Sequence, residues 1–358
     1  MVSRDFWSGR RVLVTGHTGF KGSWLALWLN SLGAETHGIA LEPPTRPSLY
    51  EAAAITELLE SDERVDIRDA AAVTAALHRI RPEIVIHLAA QSLVRASYDF
   101  PLETYATNVM GTAHVLNALR DVDSVRVAVS VTTDKVYENF ERPGGYREDE
   151  PLGGYDPYSS SKAAAELVTA ALRRSFLADR GIAVASARAG NVIGGGDWAA
   201  DRLVPDALTA FSQGRPVEIR NPEAVRPWQH VLEPLSGYLL LAERLSDGGQ
   251  EYAEAWNFGP DADDALPVRA ILERLAQLWG DGASWVGDTA EHPHEAGLLG
   301  LDASKAHARL GWRPRWAIQD ALAATVNWQR EFLAGKSARE TSLEQIAEYE
   351  AARPVGIG

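Results

Sequence analysis

The chain has 358 residues, 46% of them hydrophobic and 23% charged, which describes a soluble globular protein with a large core and length for two domains. A net charge of -14 excludes a broad nucleic-acid surface, since phosphate binding needs concentrated Lys and Arg. Zero cysteines excludes disulfides, thiolate metal sites and cysteine nucleophiles, and no apolar run is long enough to span a bilayer; a cytoplasmic protein with no membrane partner is expected.

Val12, Leu13 and Val14 form an apolar run, followed by Gly16, Gly19 and Gly22 and then by a helical apolar pattern from Trp24 to Leu29. This reads as a strand, a tight turn and a helix N-terminus. The first glycine permits the turn, the second lets a diphosphate approach, and the third lets helix and strand pack closely. The spacing is one residue wider than the common dinucleotide fingerprint and lacks the Gly-Lys-Ser/Thr of a P-loop. His17, Thr18, Phe20 and Lys21 share the turn; Lys21 either touches a cofactor phosphate or faces solvent.

A second strand is expected over Glu35 to Leu41, where Glu42 could meet a ribose or simply precede a loop. After an insertion from Pro43 to Ser61, a strand over Arg64 to Ile67 would bring Asp66 and Ile67 to the adenine edge, with a helix cap as the other reading of Asp66. A helix over Ala70 to Arg81 leads to strand Ile84 to Leu88, and Leu88, Ala89 and Ala90 let a cofactor lie close to the chain. A helix over Leu102 to Leu119 carries Asn108, placed in a sheet-end network or towards water. Strands follow over Val125 to Ser130 and Ile182 to Ala187, separated by a helix from Tyr158. Such an alternation predicts a Rossmann-type α/β fold, a parallel sheet with helices on both faces, and a smaller C-terminal substrate-binding lobe. The dinucleotide-binding domain is expected over 1–190, completed by about 228–259. The lobe takes about 191–227 and 260–335, and 336–358 is a terminal extension. Eleven tryptophans, enriched after residue 197, serve to pack that lobe or stack on a ligand.

Thr132 to Tyr137 follow a strand end, and Tyr158 and Lys162 lie four apart, on one helix face. A phenolate can take a hydroxyl proton as hydride leaves, if an ammonium lowers the phenol from its usual value near ~10. Thr133 would hold the same oxygen. These three residues point to alcohol oxidation with a nicotinamide cofactor. His230 and the pair His292/His294 lack a ligand set at usual spacing, so no metal is expected.

The motifs GHTGFKG at 16–22, HLAAQ at 87–91 and YSSSK at 158–162 resemble those of extended short-chain dehydrogenases/reductases, the NAD-dependent epimerase/dehydratases. More narrowly, TTDKVYEN at 132–139 and the segments 144–162, 187–206, 218–240 and 291–296 resemble the branch of CDP-glucose 4,6-dehydratases. The likeness spans nearly the whole chain. It implies a lyase that oxidises CDP-D-glucose at C4 with tightly bound NAD, eliminates water across C5 and C6, and returns the hydride to C6. Such enzymes serve deoxysugar synthesis for surface polysaccharide, including lipopolysaccharide O-antigen.

By this resemblance Tyr158 is the base of the first step, Lys162 its field and ribose partner, and Thr133 the orienting hydroxyl. Asp134 protonates the departing C6 hydroxyl. Lys135 stands where relatives acting on dTDP-glucose carry Glu, and is either the C5 base or an ammonium beside the enolate. Asn191 and Arg226 match diphosphate contacts. The expected second arginine is missing from the region matching His294 to Leu298, and Arg220 could compensate. A homodimer through the helices 102–119 and 158–178 is the minimum assembly implied, with a homotetramer open.

Overall fold

The computed structural model describes residues 2–261, 264–288 and 297–355. Seven parallel strands form its central sheet: β1 (Arg11–Thr15), β2 (Glu35–Ala40), β3 (Ser61–Arg64), β4 (Ile84–His87), β5 (Val127–Val131), β6 (Ala183–Arg188) and β7 (Ala255–Asn257). Their order is β7-β6-β5-β4-β1-β2-β3. The order reverses between β1 and β4, so a crevice opens beyond the carboxyl ends of those two strands.

Burial on both faces explains the short apolar strands. Along β1, Val12 and Val14 enter one core with Trp24 and Trp28, while Leu13 enters the other with Ile39 and Val85. The covering helices are α1 (Phe20–Ser31), α2 (Ala70–Ile80), α3 (101–118), α4 (Pro157–Leu172) and, on the side of α1, a later helix, Leu232–Gly248. Asp69 caps α2 through its carboxylate on the amides of Ala71 and Ala72. Within α3 a π turn over Ala106–Gly111 carries Asn108 inward; it binds the Gln91 amide and carbonyl and Ser161, each at 2.9 Å, and so ties the end of β4 to α4.

The third strand begins earlier than its apolar residues indicate: it spans Ser61–Arg64, and Val65 to Ile67 follow it. This is an edge strand of polar residues bonded to β2, so its hydrogen bonds rather than its hydrophobicity define it. A helix over Val94–Asp99 was not anticipated.

A smaller core gathers Val204, Phe211, Ile219, Trp228, Ile271 and Trp279 beyond the sheet. Most of the later tryptophans are packing residues; Trp198 and Trp228 also reach the crevice. The last helix, Ala338–Ala351, packs on α1: the Trp28 indole donates to Glu350 at 2.8 Å, and Tyr349 meets the Trp28 ring edge-on. No helix among the described residues is long and apolar enough to cross a membrane.

Candidate active site

The crevice is one continuous cleft of about 1220 Å³, more than one ligand of ordinary size requires. At its floor, Gly16 has a φ of +78°, and a Cβ there would stand 2.7 Å from the Ala89 amide nitrogen. A Cβ on Gly22 would overlap the Gly16 carbonyl. Those two glycines are required by packing. Gly19 is different, because the nearest atom a Cβ would meet there is 3.4 Å away. It opens on the cleft and caps α1 without a side chain, leaving the first-turn N–H groups free for an anion. These residues fit a dinucleotide diphosphate. Thr18, Phe20, Lys21, Leu88, Ala89, Ala90, Asp66 and Ile67 line the same cleft. Lys21 is pushed down to about 7 by burial and by the charges of Arg202 and Lys162.

One of the expected cofactor contacts is placed differently, and another is already paired. His17 does not line the cleft: its ring turns beneath β2, where Gly38 leaves room for it, and its Nε2 meets Asp62 at 2.7 Å. Asp66 is held by the Arg68 guanidinium at 2.6 Å, which in turn reaches Glu103. Its carboxyl faces the cleft already paired. Glu42 is exposed and pairs with Arg64.

At the far end of β5, Thr133 caps a 3-10 turn over Asp134–Val136. The Thr133 hydroxyl donates to Asp134 Oδ1 at 2.9 Å, while Asp134 Oδ2 is buried and has no partner. Lys135 lines the cleft beside them. Opposite stands the N-terminal end of α4, started by Asp156 and Pro157, which presents Tyr158 and Lys162. Burial raises the Tyr158 phenol to about 12, against the Thr133 hydroxyl and the Arg202 charge, which lower it. Burial lowers Lys162 to about 8, opposed by Glu166. Lys162 Nζ donates to the Val131 carbonyl at 3.2 Å. The phenol thus stands above its ordinary value, where a lowering by an ammonium is expected from the sequence; burial is the largest influence on it.

At the lobe end, Asn191 adopts a left-handed φ of +47° and faces the cleft. Arg226 is buried there, donating to the carbonyls of Val225 and Gly297. Arg220 stands 3.7 Å from Asp201. Sequence reasoning missed Arg202, which enters the cleft between Asp197 at 2.9 Å and Ser92 at 3.2 Å and acts on Tyr158. His230 lies between Trp24 and Trp316, and among the described residues no cluster of His, Asp and Glu could hold a metal ion. The pair His292/His294 lies outside the described residues, as does the whole of the segment 291–296.

Residues 12–259 match the model of the NAD dependent epimerase/dehydratase family. The chain is 51% identical over 354 residues to the CDP-glucose 4,6-dehydratase of Salmonella typhimurium, covering 98% of each chain. Its fold is similar to the dTDP-glucose 4,6-dehydratase DesIV of Streptomyces venezuelae, solved with NAD and TYD bound (28% identity, TM-score 0.75, 92% of this chain and 99% of that one). It is also similar to a UDP-glucose 4-epimerase of Thermus thermophilus in complex with NAD (25% identity, TM-score 0.77, 89% and 99%).

Proposed function

The chain belongs to the NAD dependent epimerase/dehydratase family, and we propose that its reaction is the conversion of CDP-D-glucose to CDP-4-dehydro-6-deoxy-D-glucose and water. The observation that carries this reading is the meeting of two chemical sets at one end of the cleft, Tyr158 and Lys162 on α4 and Asp134 and Lys135 on the turn after β5. An epimerase uses the first set and has little need of the second. The cytidine base rests on the 51% identity to the Salmonella typhimurium enzyme.

Gly16 to Gly22 and Leu88 to Ala90 would hold NAD, which would supply reversible hydride acceptance. In its phenolate form Tyr158 takes the proton of the substrate C4 hydroxyl, and Thr133 hydrogen-bonds that oxygen. Lys162, buried one turn further along α4 and lining the same cleft, balances the negative charge that develops there. Once C4 is a ketone, the C5 proton is acidic. Lys135 acts at C5, as the base in its amine form or by holding enolate charge as ammonium. Asp134 gives its proton to the C6 hydroxyl, which departs as water. Asn191, Arg220, Arg226 and Arg202 line the cleft and would hold the substrate diphosphate, with Arg offering a fork matched to phosphate oxygens.

The dimer belongs to the same reading. Leu102, Met110 and Leu167 are 82%, 51% and 61% exposed on α3 and α4, two neighbouring helices, a face that a second copy would cover. The role is biosynthetic and cytoplasmic, in deoxysugar supply for surface polysaccharide. The test is turnover of CDP-glucose, dTDP-glucose, GDP-mannose and UDP-glucose, followed by the absorbance of the keto product in alkali. CDP-glucose should be the preferred substrate; preference for another base would overturn the substrate assignment.

A further inference from the structure

Behind the reacting groups lies a buried ion pair, Glu166 and Arg188, that does not line the cleft. Tyr158, Lys162 and Glu166 recur at four-residue intervals, so α4 presents all three on one face. Glu166 is paired with Arg188, at the end of β6, through Nε at 2.9 Å and a second nitrogen at 3.1 Å. Both side chains are almost wholly buried. The remaining capacity of the carboxylate is filled by the hydroxyls of Thr132 and Ser186, each at 2.5 Å. The other arm of Arg188 donates to the Tyr137 hydroxyl at 2.7 Å, and its guanidinium lies over the Tyr137 ring. The Tyr137 hydroxyl in turn donates to Asn257 Oδ1 on β7 at 2.7 Å.

The two residues gripped in this way, Thr132 and Tyr137, bracket the turn that carries Thr133, Asp134 and Lys135. One end of the turn is bonded to Glu166 and the other to Arg188. We propose that the Glu166–Arg188 pair is a positioning clamp that holds the elimination groups Asp134 and Lys135 in register with the oxidation groups Tyr158 and Lys162. The inference rests on the reaction proposed above. A buried pair with all its hydrogen bonds made suits this task, because neither partner can shift without leaving the other charge exposed to a low dielectric. Burial would raise the Glu166 carboxyl, but the Arg188 charge and the hydrogen bonds from Arg188, Ser186 and Thr132 hold it below its ordinary range, so the pair stays ionised.

Slackening the turn leaves Tyr158 and Lys162 on their helix but frees Asp134 and Lys135. The elimination should slow more than the oxidation. Tyr137→Phe and Thr132→Val each remove one hydroxyl, at opposite ends of the turn, and keep side-chain volume. The complete protein with NAD is assayed with CDP-glucose deuterated at C4 and, separately, at C5. Both variants should lose about tenfold in kcat, with a larger isotope effect from C5 and one from C4 that shrinks towards unity. Lower kcat with both isotope effects as in the wild type would mean a merely structural pair and would overturn the clamp. Amide exchange read without substrate gives a second measure: Asp134 to Val136 should exchange faster in both variants, and unchanged exchange also overturns it. Wild-type protein inert towards CDP-glucose but active on another nucleotide sugar would instead overturn the substrate assignment, and the amide exchange would still decide on the clamp.

Discussion

Gly190 lies directly against the carboxyl group of Asp134: a Cβ at that position would overlap both carboxylate oxygens. The strand end that leads to Asn191 thus fixes where the acid on the opposite turn can stand, and no bulkier residue leaves Asp134 where it is.

Gly190→Ala should therefore displace Asp134 without altering the glycine turn that holds the cofactor. Misplacement of a reacting group by about 1 Å costs roughly a hundredfold in rate. Steady-state kcat for CDP-glucose is expected to fall by about that factor, while NAD titration gives the wild-type affinity. A variant with wild-type kcat would show that the position of Asp134 is not critical.

Much of this arrangement is legible in the sequence. The apolar runs of β1, β4, β5 and β6 are buried on both faces and announce themselves, and the glycine turn follows from the geometry it must adopt. The polar edge strand Ser61–Arg64 carries no such signal, because only its bonds to β2 make it a strand. His17 reads as a cleft residue until Gly38, distant in sequence, is seen to make room for its ring under the sheet. Arg202 sits in a run that marks the family resemblance, yet nothing in its spacing separates it from a surface arginine. Its role is visible only once Asp197 and Ser92 aim it into the cleft. The direction of the Tyr158 shift was likewise hidden, since burial is a property of the folded chain.

Stability should depend on one buried carboxyl remote from the cleft. Glu233 accepts from Tyr349 at 2.6 Å and from the amides of Arg315 and Trp316, joining the final helix to the rest of the molecule. Burial raises it from 4.5 to about 7 despite those bonds and the nearby Arg315 charge. Between those values the folded protein keeps a proton that the unfolded chain has lost, so stability falls as pH rises through the window, by on the order of 3 kcal/mol. Denaturant unfolding at intervals across this range should show the decline in the wild type and a flatter profile in Glu233→Gln. Equal slopes for the two proteins would exclude Glu233 as its source.

The apolar face of α3 and α4 predicts an assembly. Leu102→Glu places a charge where a second copy would bury it, at a cost that exceeds what a protein interface of standard size readily absorbs. Sedimentation should find the wild type as a dimer or larger and the variant shifted to monomer at the same concentration. A wild type that sediments as a monomer would remove this surface from the account.

The central claim is that one chain oxidises C4, eliminates across C5 and C6, and returns the same hydride to C6. It is tested most directly by turning over CDP-glucose deuterated at C4 and locating the label by mass and position in the product. The account predicts a sugar lighter by one water, with the deuterium now at C6. Deuterium lost to solvent, retained at C4, or found in a product that has lost no water would contradict it.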